Sequence, residues 1–384
     1  MGGVLGCVCV VGCQAGAQQT PFRQLRSEIA PLTASLGIAV QSVSKPLSTL
    51  QPLATVVRVP APPQAVAELA VPSAKPAPLA PPPVAAGSER PATASESFAG
   101  TRVSQAEILR GLSRAELKTF RPVGTTSTVF RSALDAPFRA AFKLATQRKP
   151  YGAIAEVAAY RLARCLGLSN VPPAVLRKLD VRLLRRGLDA AFSDRWPAIS
   201  ERLLTQYGFV EGAAIYWIEG MRDLDIGAGE ARERQLRGLL QEEALPDASQ
   251  PLAAQLSSLL AFDYLIANWD RWSGANVKGD ASGQILYVRD NDAGFAADVS
   301  EVQQRRLLAR LLAVERFSRS FVTRLRALTP SAYERELAQD AGFAGGHRLS
   351  ARSLAGLFDR RASLLSHVQA LIEEHGEARV LAFP

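Results

Sequence analysis

The chain has 384 residues, 47% of them hydrophobic and 21% charged, with a formal net charge of +9. Residues 1–100 hold only Phe22 and Phe98 among the aromatics but 14 of the 24 prolines. Such a stretch cannot bury enough apolar area to offset chain entropy, so the fold is expected in residues 101–384. No apolar run reaches the roughly 18 residues of a membrane span, and the basic surplus gathers on no single predicted element, which argues against nucleic-acid binding.

Cysteine and histidine exclude further chemistry. Cys7, Cys9 and Cys13 sit at the extreme N-terminus, and the expected globular part keeps only Cys165, so it has no internal disulfide. His347, His367 and His375 fall late in the chain with no zinc-site spacing. No local motif supports a Ser-His-Asp or Cys-His centre. Carboxylates, lysine and a bound metal are left to carry any reaction.

Taken in chain order, Val10-Val11-Gly12-Cys13 is similar to a bacterial lipobox. It predicts a lipid-anchored or exported protein with membrane attachment through Cys13. The lack of a preceding Lys or Arg leaves open a plain tail of small residues and a cytoplasmic location. Residues 14–100 read as a Pro/Ala-rich linker. Ser104 to Leu117 reads as a helix, with Ser104 as N-cap and Glu107 closing a capping box. Strands are expected over Val123 to Phe130, around a Gly124-Thr125-Thr126-Ser127 turn, and over Phe138 to Leu144. A turn of this composition offers N–H and O–H donors to an anion, although most such turns are only turns.

Lys143 falls in the apolar run of the last of these strands. It lies at a solvated edge or points into a polar cleft. Gly152 to Leu166 is a strong helix with an apolar stripe of Ile154, Ala158, Leu162, Cys165 and Leu166, ended by Gly167 and by Pro172-Pro173. Glu156 lies on another face. It is a partner for Lys143 or a solvated residue.

Residues 207–219 read as two short strands or a strand into a hinge, and 222–250 as a charged, loop-like stretch. A helix over Leu252 to Ala267 places Asp263 on its apolar stripe. A buried carboxylate is costly unless paired, so Asp263 is expected to clamp the following loop. That loop carries Asn268, Trp269, Asp270 and Arg271, then Asn276. A strand over Ile285 to Val288 leads into Asp290-Asn291-Asp292. Phosphoryl transfer needs such a set: one carboxylate for the hydroxyl proton, an Asn and an Asp for Mg²⁺. The tail beyond 301 is compatible with an all-helical end.

The ordered set of lysine strand, glutamate helix into Val-Pro-Pro, Asn-x-Asp-Arg and Asp-Asn resembles the atypical kinase group. That group comprises the secretory four-jointed-type kinases, the HipA toxin kinases and the type II phosphatidylinositol 4-kinases, with the four-jointed type most similar. The resemblance implies an α+β, two-lobe protein-kinase-like fold. An antiparallel β N-lobe with one key helix would span 101–212, and a mainly helical C-lobe 213–384. It implies Lys143 on the ATP phosphates with Glu156 as partner, Gly124, Thr125, Thr126 and Ser127 as phosphate-covering loop, Asp270 as catalytic aspartate, and Asp290 and Asn276 as ligands of Mg²⁺ or Mn²⁺. Asn276 follows Asp270 by six residues where five is usual, and Asp292 replaces a common glycine, adding either a metal ligand or a solvated carboxylate. Asn268 and Arg271 read as structural, and Trp269 and Trp272 as packing the loop onto the C-lobe. The implied activity is γ-phosphoryl transfer to a hydroxyl on a protein, glycan or small molecule. Two alternatives stand beside it: a pseudokinase-type binding module, favoured by export to where ATP is scarce, and a structural protein whose long tether matters most.

Overall fold

The computed structural model describes residues 97–124, 128–224, 230–242, 245–272 and 276–384. The lipobox-like segment, residues 14–96 of the expected linker, and Thr125, Thr126 and Ser127 lie outside the described residues. The last four residues of the expected linker belong to the fold. Phe98 is buried against Tyr216 and Tyr287, because a large ring so close to a folded edge gains more by burial than by exposure.

Helix α1 (Gln105–Arg114) starts at Ser104, whose side chain accepts from the Glu107 N–H. Ile108 and Leu112, one turn apart, are buried on its inner face. Three antiparallel strands follow: β1 (Leu117–Val123), β2 (Val129–Leu134) and β3 (Arg139–Leu144). Side chains alternate along them. Phe120, Phe130 and Phe142 meet in the core beneath the sheet, while Val123, Val129, Ala141 and Lys143 face the other way.

Helix α2 (Gly152–Leu166) ends on Gly167 in the left-handed conformation, at φ 73°. Strand β4 (Ala174–Asp180), short helices α3 (Val181–Arg186) and α4 (Trp196–Arg202), the two-residue β5 (Thr205–Gln206) and the long β6 (Phe209–Tyr216) complete the first lobe. The main sheet runs β1-β2-β3-β6-β4, with β5 on β6, all antiparallel.

Gly212 corrects the expected lobe boundary at 212/213. It is an interior residue of β6, paired with Leu144 on one side and Arg177 on the other. The first lobe therefore continues to Tyr216. The glycine is there for space: a Cβ would lie 2.9 Å from the Lys143 carbonyl oxygen and 2.9 Å from the Phe142 ring. Gly212→Ala is expected to destabilise by about 1–3 kcal/mol through overpacking, measured by urea denaturation.

The second lobe is mainly helical. It opens with β7 (Arg222–Asp223) and α5 (Glu230–Gln241). The helix α5 replaces the expected charged loop, since Leu239 and Leu240 are buried by packing on α6 (Gln250–Ile266). Strands β8 (Lys278–Gly279) and β9 (Leu286–Tyr287) close a small sheet with β7. The expected strand over Ile285 to Val288 keeps only its middle two residues. The remaining helices are α7 (Glu301–Leu312), α8 (Arg319–Ala327), α9 (Pro330–Leu337), α10 (Ala341–Ala344), α11 (Ala351–His375) and α12 (Glu377–Val380). Their core is continuous with α2 and α6 through Tyr160, Leu162, Phe262, Phe317 and Tyr333. No helix among the described residues is long and apolar enough to cross a membrane.

Candidate active site

A cleft of about 630 Å³ lies between the sheet of the first lobe and the small sheet of the second. Its roof is the face of β1–β3 that carries Lys143. Its floor is formed by the loops after α6 and β9.

Lys143 is the hub. Its ammonium lies 2.8 Å from Glu156 Oε1, 2.5 Å from Asp290 Oδ1 and 2.9 Å from Asp292 Oδ2. Strand alternation points it inward, and the run of small residues in α2 lets that helix sit close enough for Glu156 to reach it. Glu156 is 3% exposed, so the solvated-helix reading is excluded. Burial disfavours the lysine's charge, but Glu156, Asp290 and Asp292 outweigh it and hold its pKa above the ordinary lysine range.

Asp290 sits at φ 63°, a left-handed conformation that Asp tolerates better than most side chains. Burial disfavours its ionisation, but Lys143 outweighs that and holds the carboxyl well below the usual aspartate range. A depressed folded pKa gives stability that is fully present above the unfolded value, about 3.9, and is lost as pH falls from there through the lower folded value. The melting temperature of the wild type should therefore drop more steeply between neutral pH and pH ~3 than that of Asp290→Asn. Equal slopes would show that the Lys143–Asp290 pair contributes nothing.

The floor is stapled from below. Helix α6 ends on Ala267 at φ 55°, which turns the chain back on itself. Arg271 then reaches Asp263 through Nε (3.2 and 3.1 Å) and Nη2 (3.0 Å) and donates to Asn291 Oδ1 at 2.6 Å. Asn268 Nδ2 donates to the Asp290 carbonyl at 3.1 Å. Asp263 thus clamps the loop as expected, and Asn268 and Arg271 tie it to the Asp290 loop. Asn170, just before Val-Pro-Pro, donates to the Leu286 carbonyl at 2.7 Å and its own carbonyl accepts from Val288. This fixes β9, and with it the position of Asp290.

The structure brings Gly124, Lys143, Glu156, Asp270, Asn276, Asp290 and Asp292 to one cleft. Asn276 lines it with its side-chain amide donating to the Asp270 carbonyl at 3.2 Å. Asp292 is not a solvated carboxylate: besides Lys143 it pairs with Lys149 at 2.8 Å. Trp269 departs from its expected packing role, with 38% of its surface exposed, whereas Trp272 packs against the core with Arg310 over its ring.

Sequence reasoning missed Lys149, Arg289 and Trp217, all of which line the cleft. Lys149 precedes α2 in a loop with no periodicity to point it anywhere. Arg289 stands beside Asp290, and its proximity in sequence was the available signal.

This architecture, an antiparallel lobe with one buried glutamate helix over a helical lobe bearing the acidic loops, is a two-lobe protein-kinase-like fold. Residues 145–291 match the family model of the four-jointed box protein middle domain. The matched span includes Glu156, Asp270, Asn276 and Asp290. Among solved structures, the Golgi casein kinase is similar at 16% identity and TM-score 0.56, covering 75% of this chain and 79% of that one. Hydra Fam20, solved with sugar, is similar at 18% identity and TM-score 0.56, covering 75% of this chain and 95% of that one. The Golgi casein kinase with Mn/ADP bound is similar at 16% identity and TM-score 0.55, covering 72% and 78%. A comparison of the sequence with curated proteins finds no match. The chain therefore resembles the four-jointed-type, kinase-like group, as the order of its motifs suggested.

Proposed function

We propose that the chain is a phosphotransferase that uses ATP with Mg²⁺ or Mn²⁺ and delivers the γ-phosphoryl group to a hydroxyl on a protein, glycan or small molecule. The observation that carries this reading is the meeting of Lys143, Glu156 and Asp290 across the cleft, with Asp270 on the same floor. The Mn/ADP complex of the similar Golgi casein kinase supports it as a precedent.

The donor set fits a hard divalent cation. Asp290, Asp292 and Asn276 offer carboxylate and amide oxygens, the ligands Mg²⁺ and Mn²⁺ prefer. Among the described residues no three His, Cys, Asp or Glu side chains form a metal cage of their own. That suits a cation held by one or two carboxylates together with substrate phosphates. The metal, when bound, neutralises phosphate charge and polarises the transferring group.

The chain's own residues do the rest. Lys143 contacts the α- and β-phosphates, oriented by Glu156. Asp270 accepts or orients the proton of the attacking hydroxyl at its carboxylate. Gly124 opens the loop over the phosphates at φ 75°, where an added Cβ would meet no atom of the described residues within 4 Å. Val123, Val129, Ala141 and Ile215 present apolar surface to the base.

A second reading, a pseudokinase-type binding module, is favoured by the charge of the cleft. Its acids, Glu156, Asp270, Asp290 and Asp292, are matched by Lys143, Lys149, Lys278 and Arg289. Among the described lining residues the cleft is thus formally neutral without a cation.

Thermal denaturation with ATP and Mg²⁺ or Mn²⁺ tests nucleotide binding. Ligand at 100-fold its Kd adds about 2.7 kcal/mol of stability. The melting temperature should rise with nucleotide and metal together, and Lys143→Met should abolish the rise. No shift for the wild type under any metal would reject the phosphotransferase and leave a binding module that holds no nucleotide. A shift without ADP formation would select the binding module.

A further inference from the structure

The sheet of the first lobe has a second concavity on the same face as the cleft. Side chains two apart on a strand share a face. The face that carries Val123, Val129 and Lys143 into the cleft therefore also carries Arg121, Arg131 and Arg139 farther along β1, β2 and β3. With Lys118 and Arg186 they line a groove of about 580 Å³, in which Asp189 is the one lining carboxylate among the described residues.

Three of these cations, Arg121, Arg131 and Arg186, form no ion pair among the described residues. Arg121 and Arg131 are register partners across β1 and β2, and like charges placed opposite each other destabilise a strand pair. Neither has a carboxylate partner among the described residues. Instead, Arg121 lies over the Phe192 ring at 5.6 Å and Arg131 over Trp217 at 5.9 Å. A guanidinium resting on a ring keeps its edge donors for a planar anion. At the rim, Lys118 and Arg139 already pair with carboxylates, Asp135 at 3.2 Å and Glu219 at 2.6 Å.

We propose that this groove docks an acidic peptide segment of a partner protein in extended conformation. Carboxylates are the groups its rim cations already take. Same-face strand positions recur at about 6.6–6.8 Å, the spacing of alternate side chains on an extended peptide. A lipid surface is flat and cannot enter a concave groove. The inference is independent of the phosphotransfer reading, because it concerns binding outside the cleft. Trp217 lines the cleft and carries Arg131 of the groove over its ring, so a docked peptide would lie near the mouth of the cleft.

The test is fluorescence anisotropy of a labelled oligoglutamate with the full chain at low salt. Saturable binding that weakens as salt rises is expected. Arg121→Gln/Arg131→Gln should weaken it by about tenfold or more, whereas Arg305→Gln, an exposed change on α7, should leave it unaltered. The double variant should melt at or above the wild-type temperature, since it relieves a repulsion. Arg121→Gln alone, at an exposed position, reads the same loss if the double variant fails to fold. Absence of binding, binding indifferent to these arginines, or a heparin oligosaccharide binding as tightly as or more tightly than oligoglutamate would overturn the proposal.

Discussion

Asp270→Ala should lower phosphoryl transfer by about 10²–10⁴-fold, the usual contribution of a positioned general base, while the thermal shift with nucleotide and metal persists. The reason is position. Asp270 lies on the cleft floor, in a loop whose neighbours Asn268 and Arg271 are fully buried and hydrogen-bonded. Removing its carboxylate leaves the Asn268 and Arg271 anchors in place and takes away the group proposed to meet an incoming hydroxyl. ADP formation and autophosphorylation are the measurements. Wild-type turnover retained in Asp270→Ala would remove this residue from the chemistry, and retention in Asp290→Ala as well would reject the kinase reading.

Arg271→Leu should cost about 3–5 kcal/mol, the penalty for leaving a buried charge without its partner. Arg271 and Asp263 have side chains 0% and 2% exposed, so no water can replace the lost guanidinium. Asn291 would lose its donor in the same step. Replacing both members, Asp263→Leu/Arg271→Leu, should recover part of the loss, since an apolar pair of similar volume avoids the stranded charge. Urea denaturation of the two single variants and the double variant measures the cycle. A cost below about 1 kcal/mol, the scale of an exposed pair, would show that the two loops are held by something else.

Much of this arrangement could be read from the chain. Asp263 was visible because it broke an apolar stripe, and a carboxylate in such a place must have a partner. Lys143 stood out for the same reason in β3. The helix carrying Glu156 was legible from its periodicity and its Gly167 stop. What periodicity cannot give is which strand continues through a glycine. Residues 207–219 read as two strands or a hinge, yet Gly212 within them is a site of close approach between β6 and β3. Helix α5 was hidden by its charges, although Leu236, Leu239 and Leu240 already had helical spacing. The arginine groove was illegible because its members come one or two at a time from three strands and the end of α3, and only the register of the sheet assembles them.

Helix α2 has a further consequence. Thirteen of its 15 residues are buried, and it is wedged among β3, β4, β6, α8 and α9. Tyr333 from α9 even donates to the Ala158 carbonyl in its middle. In many kinases the corresponding segment rocks outward to break the lysine–glutamate contact and switch the enzyme off. Here the helix is packed against all of these elements, and close-packed interiors yield only by discrete repacking. A beam set in masonry makes a poor lever. Under the proposed phosphotransfer reading, control is expected to act on what reaches the cleft rather than on this helix.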